Sequence, residues 1–329
     1  MVLILSENRD PCTIEILKWL DHFGTPWLRI NEDDEVAFEC LEYRDNQLIQ
    51  LVVSVNGRLV DLVRIKAYWY RRGWLQDSQG QHGALSPDAK INRQLSAYLG
   101  EELDNVLLFI HRYLQTEKPH ISSFLNAGND KTYYLMAAIK AGLSVPDTLI
   151  CNKKKRLAAF AQRTNGNRTI TKSINELFSF SCYDKFYTAA TYEVSREEIA
   201  ACSDRFFPSL FQGYVEKYCE LRVFYLLGEL YAMAIFSQQN EQTRLDFRNY
   251  DHDHANRNVP FSLPEAVEQS IRDFMTSIRL NCGSLDFILT PDMRFVFLEV
   301  NPVGQFGMVS YPCNYQLERR VATALNDML

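Results

Sequence analysis

Residues 283–307 read GSLDFILTPDMRFVFLEVNPVGQFG, and the fold turns on them. Ser284 to Leu289 reads as a strand, Pro291 to Arg294 as a tight turn, and Phe295 to Val300 as the returning strand, rich in aromatic and β-branched residues. A turn centred on Asp292 and Met293 sets Asp286 opposite Glu299. Side chains alternate along a strand, so Glu299 and Asn301 share a face. The hairpin thereby gathers two carboxylates and one amide oxygen. These are hard donors, suited to Mg²⁺ held between protein and nucleotide phosphates. Pro302 ends the strand, and Gly304 and Gly307 let the backbone turn close to a ligand. The alternative is an edge hairpin with acids on its wet face. Against it, the acids interrupt strongly apolar runs (Leu285, Phe287, Ile288; Val296, Phe297, Leu298, Val300). Burying unpaired carboxylates is costly, so a cation is their natural partner.

Outward from the hairpin, the totals exclude several classes. The chain has 329 residues, 47% hydrophobic and 23% charged, an ordinary globular composition long enough for two or three packed units. A net charge of −6 offers no attraction to nucleic acid or an anionic membrane. No apolar run approaches a membrane span, and Met1-Val-Leu-Ile-Leu is too short for a signal peptide. The eight cysteines contain no C-x-x-C pair, which argues against a zinc site and for a reducing, cytoplasmic setting.

The hairpin resembles the Mg²⁺-binding hairpin of the ATP-grasp carboxylate–amine ligases, and among them the graspetide (microviridin-like) peptide maturases. MVLILSENRDPCTIEILKWL, LRINEDD and WYRR resemble the grasp-with-SPASM branch in particular. The resemblance covers nearly the whole chain. It implies an α/β (α+β) ATP-grasp fold, with an N-terminal pre-ATP-grasp α/β domain over 1–118, a middle lobe over 119–211 and a C-terminal lobe over 212–329. It further implies ATP and Mg²⁺ as cofactors, a precursor peptide (leader and core) as partner, and a homodimer as a state to test.

Local patterns agree with an α/β chain. Val2 to Leu5, the amphipathic Thr13 to Phe23 and Trp27 to Ile30 make a β-α-β opening. Asn56-Gly57 between Leu48–Val55 and Arg58–Leu62 is a hairpin signal. Ile65 to Tyr70 is a strand ending in Arg71-Arg72, two guanidiniums able to clamp a carboxylate or phosphate, or simply to be solvated beside a loop. In the family a similar motif stands at the mouth of the site, which makes Arg71 and Arg72 candidate substrate residues. Asp88 to Gln115 reads as one long helix with Leu95, Leu99, Leu103, Val106, Leu107, Ile110 and Leu114 as its apolar stripe. Further on, Tyr187 to Val194 reads as mostly strand. Ser262 is expected to cap a helix reaching Leu280, and Cys313 to Leu329 to form a final helix.

The remaining site candidates come from the resemblance. Lys131 opens a helix after Asn-Asp, and either points at the site or is solvated. Lys172, on the strand Arg168 to Ser173, stands where the family places a phosphate-reaching lysine. Gln212, Tyr214 and Val215 match the interlobe hinge whose backbone reads the adenine edge; an ordinary core strand would look the same. The family usually has an acid where Gly213 stands. Glu220 and Arg222, two apart on one strand face, match an acid-x-Arg motif, the acid near ribose and the arginine near phosphate or acyl group. Arg244, Arg248 and Asn249 match a loop over the phosphates. Asp251-His252-Asp253-His254 is read as a solvated loop rather than a metal site. Lys153–Arg156, the one basic run, is read as the wet face of a helix.

Together these parts imply carboxylate activation by ATP. Mg²⁺ on Asp286, Glu299 and Asn301 bridges phosphate oxygens, and Lys172, Arg248 and Arg222 hold the phosphates. An acyl phosphate is then attacked by a hydroxyl or amine, the arginines stabilising the oxyanion. No Ser-His-Asp set, Cys-His pair or G-x-x-x-x-G-K loop is visible, so no acyl-enzyme is expected. The resemblance gives the substrate: Asp or Glu side chains of a precursor joined to Thr, Ser or Lys as ω-esters or ω-amides. A glutamate-adding or glutathione-type ligase, or a catalytically silent nucleotide- or peptide-binding protein, would use the same parts.

Overall fold

A computed structural model gives the fold. It describes residues 1–329 except 74, 76–84, 129, 165, 167, 176–178, 184 and 239–255. The chain divides into two compact units, 1–128 with 316–329, and 129–315.

In the first unit, β1 (Val2–Ser6), α1 (Pro11–Phe23) and β2 (Trp27–Asn31) form the expected β-α-β, with β1 and β2 parallel. Asp10 caps α1 by accepting from the Cys12 N–H, and Gly24 ends it at φ 70°. β3 (Val36–Arg44), β4 (Gln47–Val55) and β5 (Arg58–Asp61) make a separate antiparallel sheet. The Asn56-Gly57 turn has both central φ values positive, as a type I′ turn requires. β3 escaped the sequence reading, although Asp45-Asn46 turns in the same way, with φ of 50° and 62°. β6 (Ala67–Tyr70), α2 (Ala89–Glu117) and β7 (His120–Ile121) complete a parallel sheet of order β2-β1-β6-β7. Of the stripe expected along α2, only Leu107, Ile110 and Leu114 are buried, together with His111.

The second unit begins with α3 (Lys131–Lys140), capped by Asp130. Next come β8 (Thr148–Lys153), α4 (Lys154–Arg163) and β9 (Thr169–Lys172). β10 (Ser179–Cys182) and β11 (Lys185–Thr188) pair as a hairpin of their own. β12 (Tyr192–Val194), α5 (Arg196–Ala201) and β13 (Arg205–Gly213) follow, and the sheet order is β12-β9-β13-β8. The single strand expected over 187–194 is thus two strands in two sheets. The capping box expected at Ser195 and Glu198 is present and opens α5.

A five-stranded antiparallel sheet carries the rest. It consists of β14 (Cys219–Leu226), β15 (Glu229–Phe236), β16 (Arg257–Phe261), β17 (Cys282–Leu289) and β18 (Phe295–Asn301), ordered β16-β15-β14-β17-β18. α6 (Glu265–Ser277) has Pro264, not Ser262, at its N-cap, and α7 (Gly307–Cys313) follows β18. One face of the sheet packs under α3 and α6: Leu221, Val223, Leu285, Phe287, Phe297 and Val300 meet Tyr134, Ile271, Phe274 and Met275 in a continuous core. Gly304 turns at φ 70°, and a Cβ there would come within 3.0 Å of Cys282 Sγ and 3.1 Å of a Phe224 ring carbon. That glycine therefore serves close packing against the sheet.

The end of the chain is not one helix over 313–329. Asn314 and Gln316 both adopt left-handed backbone at φ 53°. They separate α7 from α8 (Leu317–Asp327), which rejoins the first unit and packs on α1. No disulfide joins the eight cysteines. No helix among the described residues is long and apolar enough to cross a membrane.

Candidate active site

Strand alternation builds the site on the face of the five-stranded sheet opposite its core. On β14 the apolar Leu221 and Val223 point into the core, so Glu220 and Arg222 lie on the other face, two residues apart as expected. Arg222 is the register partner of Asp286 on β17, and Asp286 is the partner of Glu299 on β18. The three side chains form one row across three strands.

The expected pairing of Asp286 with Glu299 is observed, but the turn does not produce it alone. The loop closes between Thr290 and Arg294, with Thr290 N donating to Arg294 O (3.0 Å) and Met293 N to Thr290 O (2.9 Å). This pairs Leu289 with Phe295 and Phe287 with Phe297, one residue out of the expected register. The register then shifts at Leu298, which stands opposite no residue of β17. Strict alternation would place Glu299 on the same face as Phe297, which is in the core. The bulge turns Glu299 over to the open face while Phe297 stays buried.

Cationic side chains meet both acids. Arg222 Nη1 donates to Asp286 Oδ1 and Oδ2 at 2.6 and 2.7 Å, and both residues are buried. Lys131 Nζ, from the first turn of α3, is 3.5 Å from Glu299 Oε2 and also reaches Ser173 O at 3.4 Å. Lys172 Nζ, from β9, is 4.0 Å from the same Glu299 oxygen. Lys131 is therefore not a solvated lysine.

A cleft opens beside this row. Lys172, Glu220, Asp286, Glu299 and the segment Gln212 to Val215 line it, with Ile170 and Leu298 adding apolar wall. The segment is both sheet and cleft wall. Gly213 N donates to Asp147 O, Tyr214 N to Arg168 O, and Gln212 Nε2 to Thr148 Oγ1. The Arg168 guanidinium stacks 3.5 Å over the Tyr214 ring. Those N–H groups are thus engaged within the fold.

One cleft residue escaped the sequence reading. Lys217 is buried and lies 2.7 Å from Glu220 Oε1, while Ser237 Oγ donates to Glu220 Oε2 at 2.8 Å. The available signal was a lysine three residues before the acid, at the approach to β14. Cys219, beside Glu220 in sequence, points into the core. Burial and the Glu220 charge push its thiol up to about 11, so it is not a thiolate nucleophile at neutral pH.

The structure places Arg71 and Arg72 in the first unit. Arg71 is buried, with Nε 2.6 Å from Asp10 Oδ2, and Arg72 is 3.3 Å from Glu7. Burial alone would raise the Asp10 carboxyl. The Arg71 charge, with hydrogen bonds from Arg71, Cys12 N–H and Thr13, holds it below its usual range. Arg71 thus ties the end of β6 to the cap of α1. Arg244, Arg248 and Asn249, and the run Asp251 to His254, lie outside the described residues.

The donor set fits a hard cation. Two carboxylates stand side by side with little exposure, on a face shared with a lysine-lined cleft. Asn301 Oδ1 accepts from Val303 N at 3.0 Å and keeps a second lone pair. Among the described residues no three His, Cys, Asp or Glu side chains gather as a metal cage. Two carboxylates and an amide suit an ion that takes its other ligands from water and phosphate.

No protein-family model and no curated protein sequence matches the chain. Solved structures do. The macrocyclase MdnC from Microcystis aeruginosa MRC, bound with precursor peptide MdnA, aligns at TM-score 0.76 and 24% identity over 99% of both chains. The Chryseobacterium gregarium RiPP-associated ATP-grasp ligase, in complex with ADP and a leader and core peptide, aligns at TM-score 0.78 and 21% identity. That alignment covers 100% of this chain and 96% of the other. This chain has the ATP-grasp fold. The ATP-grasp ligase PsnB, complexed with a phosphomimetic variant of minimal precursor, Mg and ADP, aligns at TM-score 0.70 and 15% identity over 99% and 98% of the two chains. At these identities the likeness carries the architecture, and the chemistry has to be argued from this chain's own residues.

Proposed function

We propose that this ATP-grasp protein is an ADP-forming ligase that activates Asp or Glu side chains of a ribosomally made precursor peptide and closes ω-ester or ω-amide macrocycles. One observation carries the reading: Arg222, Asp286, Glu299, Lys131 and Lys172 converge on a row beside the cleft that Gln212 to Val215 line. The precursor peptides bound to the similarly folded MdnC and Chryseobacterium ligase support the choice of substrate. The grasp-with-SPASM assignment rests on the N-terminal segments and WYRR.

Nucleotide binding would place the base along Tyr214 and Val215 and the ribose towards Glu220, whose carboxylate Lys217 and Ser237 hold in one orientation. Lys131 and Lys172 would exchange Glu299 for phosphate oxygens, each acting as a point charge. Asp286, Glu299 and Asn301 would hold Mg²⁺, which offsets charge on the β- and γ-phosphate oxygens when bound. Arg222, anchored by Asp286, and Arg244 and Arg248 would steady the substrate carboxylate while it attacks the γ-phosphorus and ADP departs. A precursor hydroxyl or amine then adds to the acyl carbon, the guanidiniums stabilise the oxyanion, and phosphate leaves.

The deciding experiment incubates the protein with a short precursor carrying leader and core, ATP and Mg²⁺, and reads the peptide by mass spectrometry. Loss of one water mass per ring, with ADP released, is expected. In a parallel incubation supplied with free glutamate, a mass gain of one residue would assign amino-acid addition instead. An unchanged precursor with no ADP released would leave a nucleotide- or peptide-binding role.

A further inference from the structure

Gln212, near the end of β13, is a buried amide that forms part of the cleft wall. Its register partners are Thr148 on β8 and Ile170 on β9. A carboxamide has two ends of opposite sense, since Oε1 accepts and Nε2 donates. Which end a ligand meets depends on what holds the other.

Thr148 holds it. Thr148 Oγ1 donates to Pro146 O at 2.8 Å. A carbonyl oxygen can only accept, so the single hydroxyl proton is spent there and Thr148 Oγ1 keeps only lone pairs. The Gln212 atom 3.0 Å from it must then be the donor, Nε2. Turning the amide over would set Oε1 against those lone pairs, two acceptors with no proton between them, at the cost of a lost buried hydrogen bond. The chain of carbonyl, hydroxyl and amide thus runs one way only. Oε1 is the end left for the cleft, while Thr148 itself stands outside the cleft lining.

The surroundings say what such an acceptor selects. Pro146 and Ile170, which flank Gln212, are apolar parts of the same wall. A fixed acceptor in an apolar wall pairs with a donor, such as the exocyclic amino group of a base. A base with a carbonyl at that edge brings a second acceptor against Oε1, and both lose their partners.

We propose that Thr148 is a positioning residue that sets the base preference of the cleft. By fixing the Gln212 amide it presents Oε1 to an exocyclic amino group and turns away bases that carry a carbonyl there. The inference rests on reading the cleft as a nucleotide site, and is independent of what the nucleotide is used for.

The test is calorimetric binding of ADP and of inosine diphosphate to the full chain with Mg²⁺ and no peptide. At the edge in question inosine has a carbonyl where adenosine has its amino group. The wild type should bind ADP about 30-fold more tightly. Thr148→Val keeps the shape, removes the hydroxyl and lets the amide turn over, so the preference should fall to about threefold. Thr148→Ser keeps a hydroxyl and should keep the preference. Gln212→Leu should abolish it with Thr148 intact, which tests the acceptor separately from the packing of Thr148. A merely structural Thr148 would weaken both nucleotides alike and leave their ratio unchanged. That result overturns the proposal, as does a wild type that binds the two equally, or a Gln212→Leu variant that keeps the preference. A chain that binds neither nucleotide overturns this proposal and the ligase reading together. Selective binding without ring closure upholds the role of Thr148 and removes the ligase reading alone.

Discussion

Two buried Arg–Asp pairs separate the two units of this protein. Arg71 and Asp10 in the first unit meet at 2.6 Å, and so do Arg222 and Asp286 in the second; both pairs are almost wholly out of water. Asp10 is also the cap of α1 and takes Cys12 N–H and Thr13 as well as Arg71. Its bonds close a helix start against a strand end and leave the pair little freedom. Asp286 stands on an open sheet face, in a row with Glu299 and beside a cleft. The chemistry is the same in both places. On the proposed function, what lies next to the pair makes one a rivet and the other a part of the site.

The sharpest way to break this comparison is Glu299→Gln, which keeps shape and removes the charge that Lys131 and Lys172 share. The initial rate of ATP- and Mg²⁺-dependent water loss from the precursor should fall about 100- to 1000-fold, with little change in melting. A rate within twofold of wild type would remove Glu299 from the chemistry.

Asp10→Asn and Asp286→Asn come next, as matched substitutions. Asp10→Asn should cost about 3 kcal/mol in urea unfolding, because it weakens a cap and leaves a guanidinium buried without counter-charge. Turnover of the folded enzyme should stay near wild type. Asp286→Asn should cost a comparable amount of stability, since Arg222 is nearly as buried as Arg71, yet reduce turnover by at least tenfold. The comparison fails if both variants show the same ratio of lost stability to lost rate.

His111 and Lys217 sharpen it further, as buried groups of the two units. His111 stacks on Phe124 with ring centroids 3.9 Å apart, and burial lowers its pKa from 6.5 to about 4. The folded state therefore keeps it neutral where the unfolded chain takes up a proton. Its contribution is whole above the unfolded pKa and drains away as pH falls towards the folded one. Stability should drop by about 2 kcal/mol between pH 6.5 and 5 from this group. His111→Phe should flatten that slope in a melting-versus-pH series. Lys217→Met should act on the cleft: with one of the two contacts that orient Glu220 removed, KM for ATP should rise about tenfold while kcat moves less than threefold. An effect on melting alone would make Lys217 purely structural.

Much of this architecture can be read from the chain because the signals are local. Asn56-Gly57 needs positive φ at both residues, Gly24 and Asp10 bracket α1, and Ser195 with Glu198 closes a capping box; each depends on neighbours within a few residues. Where such signals were absent or shared, the reading failed. β3 has no glycine in its turn, Ser262 looks like a cap but is followed by a proline that takes the position, and Cys313 to Leu329 keeps an amphipathic pattern although two left-handed residues divide it.

The candidate site was legible to the extent that alternation on a strand is. Glu220 with Arg222 could be placed on a shared face from spacing alone, because alternate side chains along a strand point to opposite sides, whereas Asp286 faces Glu299 through a bulge that the expected turn register did not contain. Tertiary packing decided the rest. Phe297 is drawn into the core by Phe274 and Phe287, and the bulge at Leu298 is what then frees Glu299 to face the cleft. That Arg71 meets Asp10 and Lys131 meets Glu299 was likewise decided by tertiary packing, the partners lying about 60 and 170 residues away in the chain. A residue's type and local pattern set what it can bond, but burial and the arrival of distant strands set what it does bond.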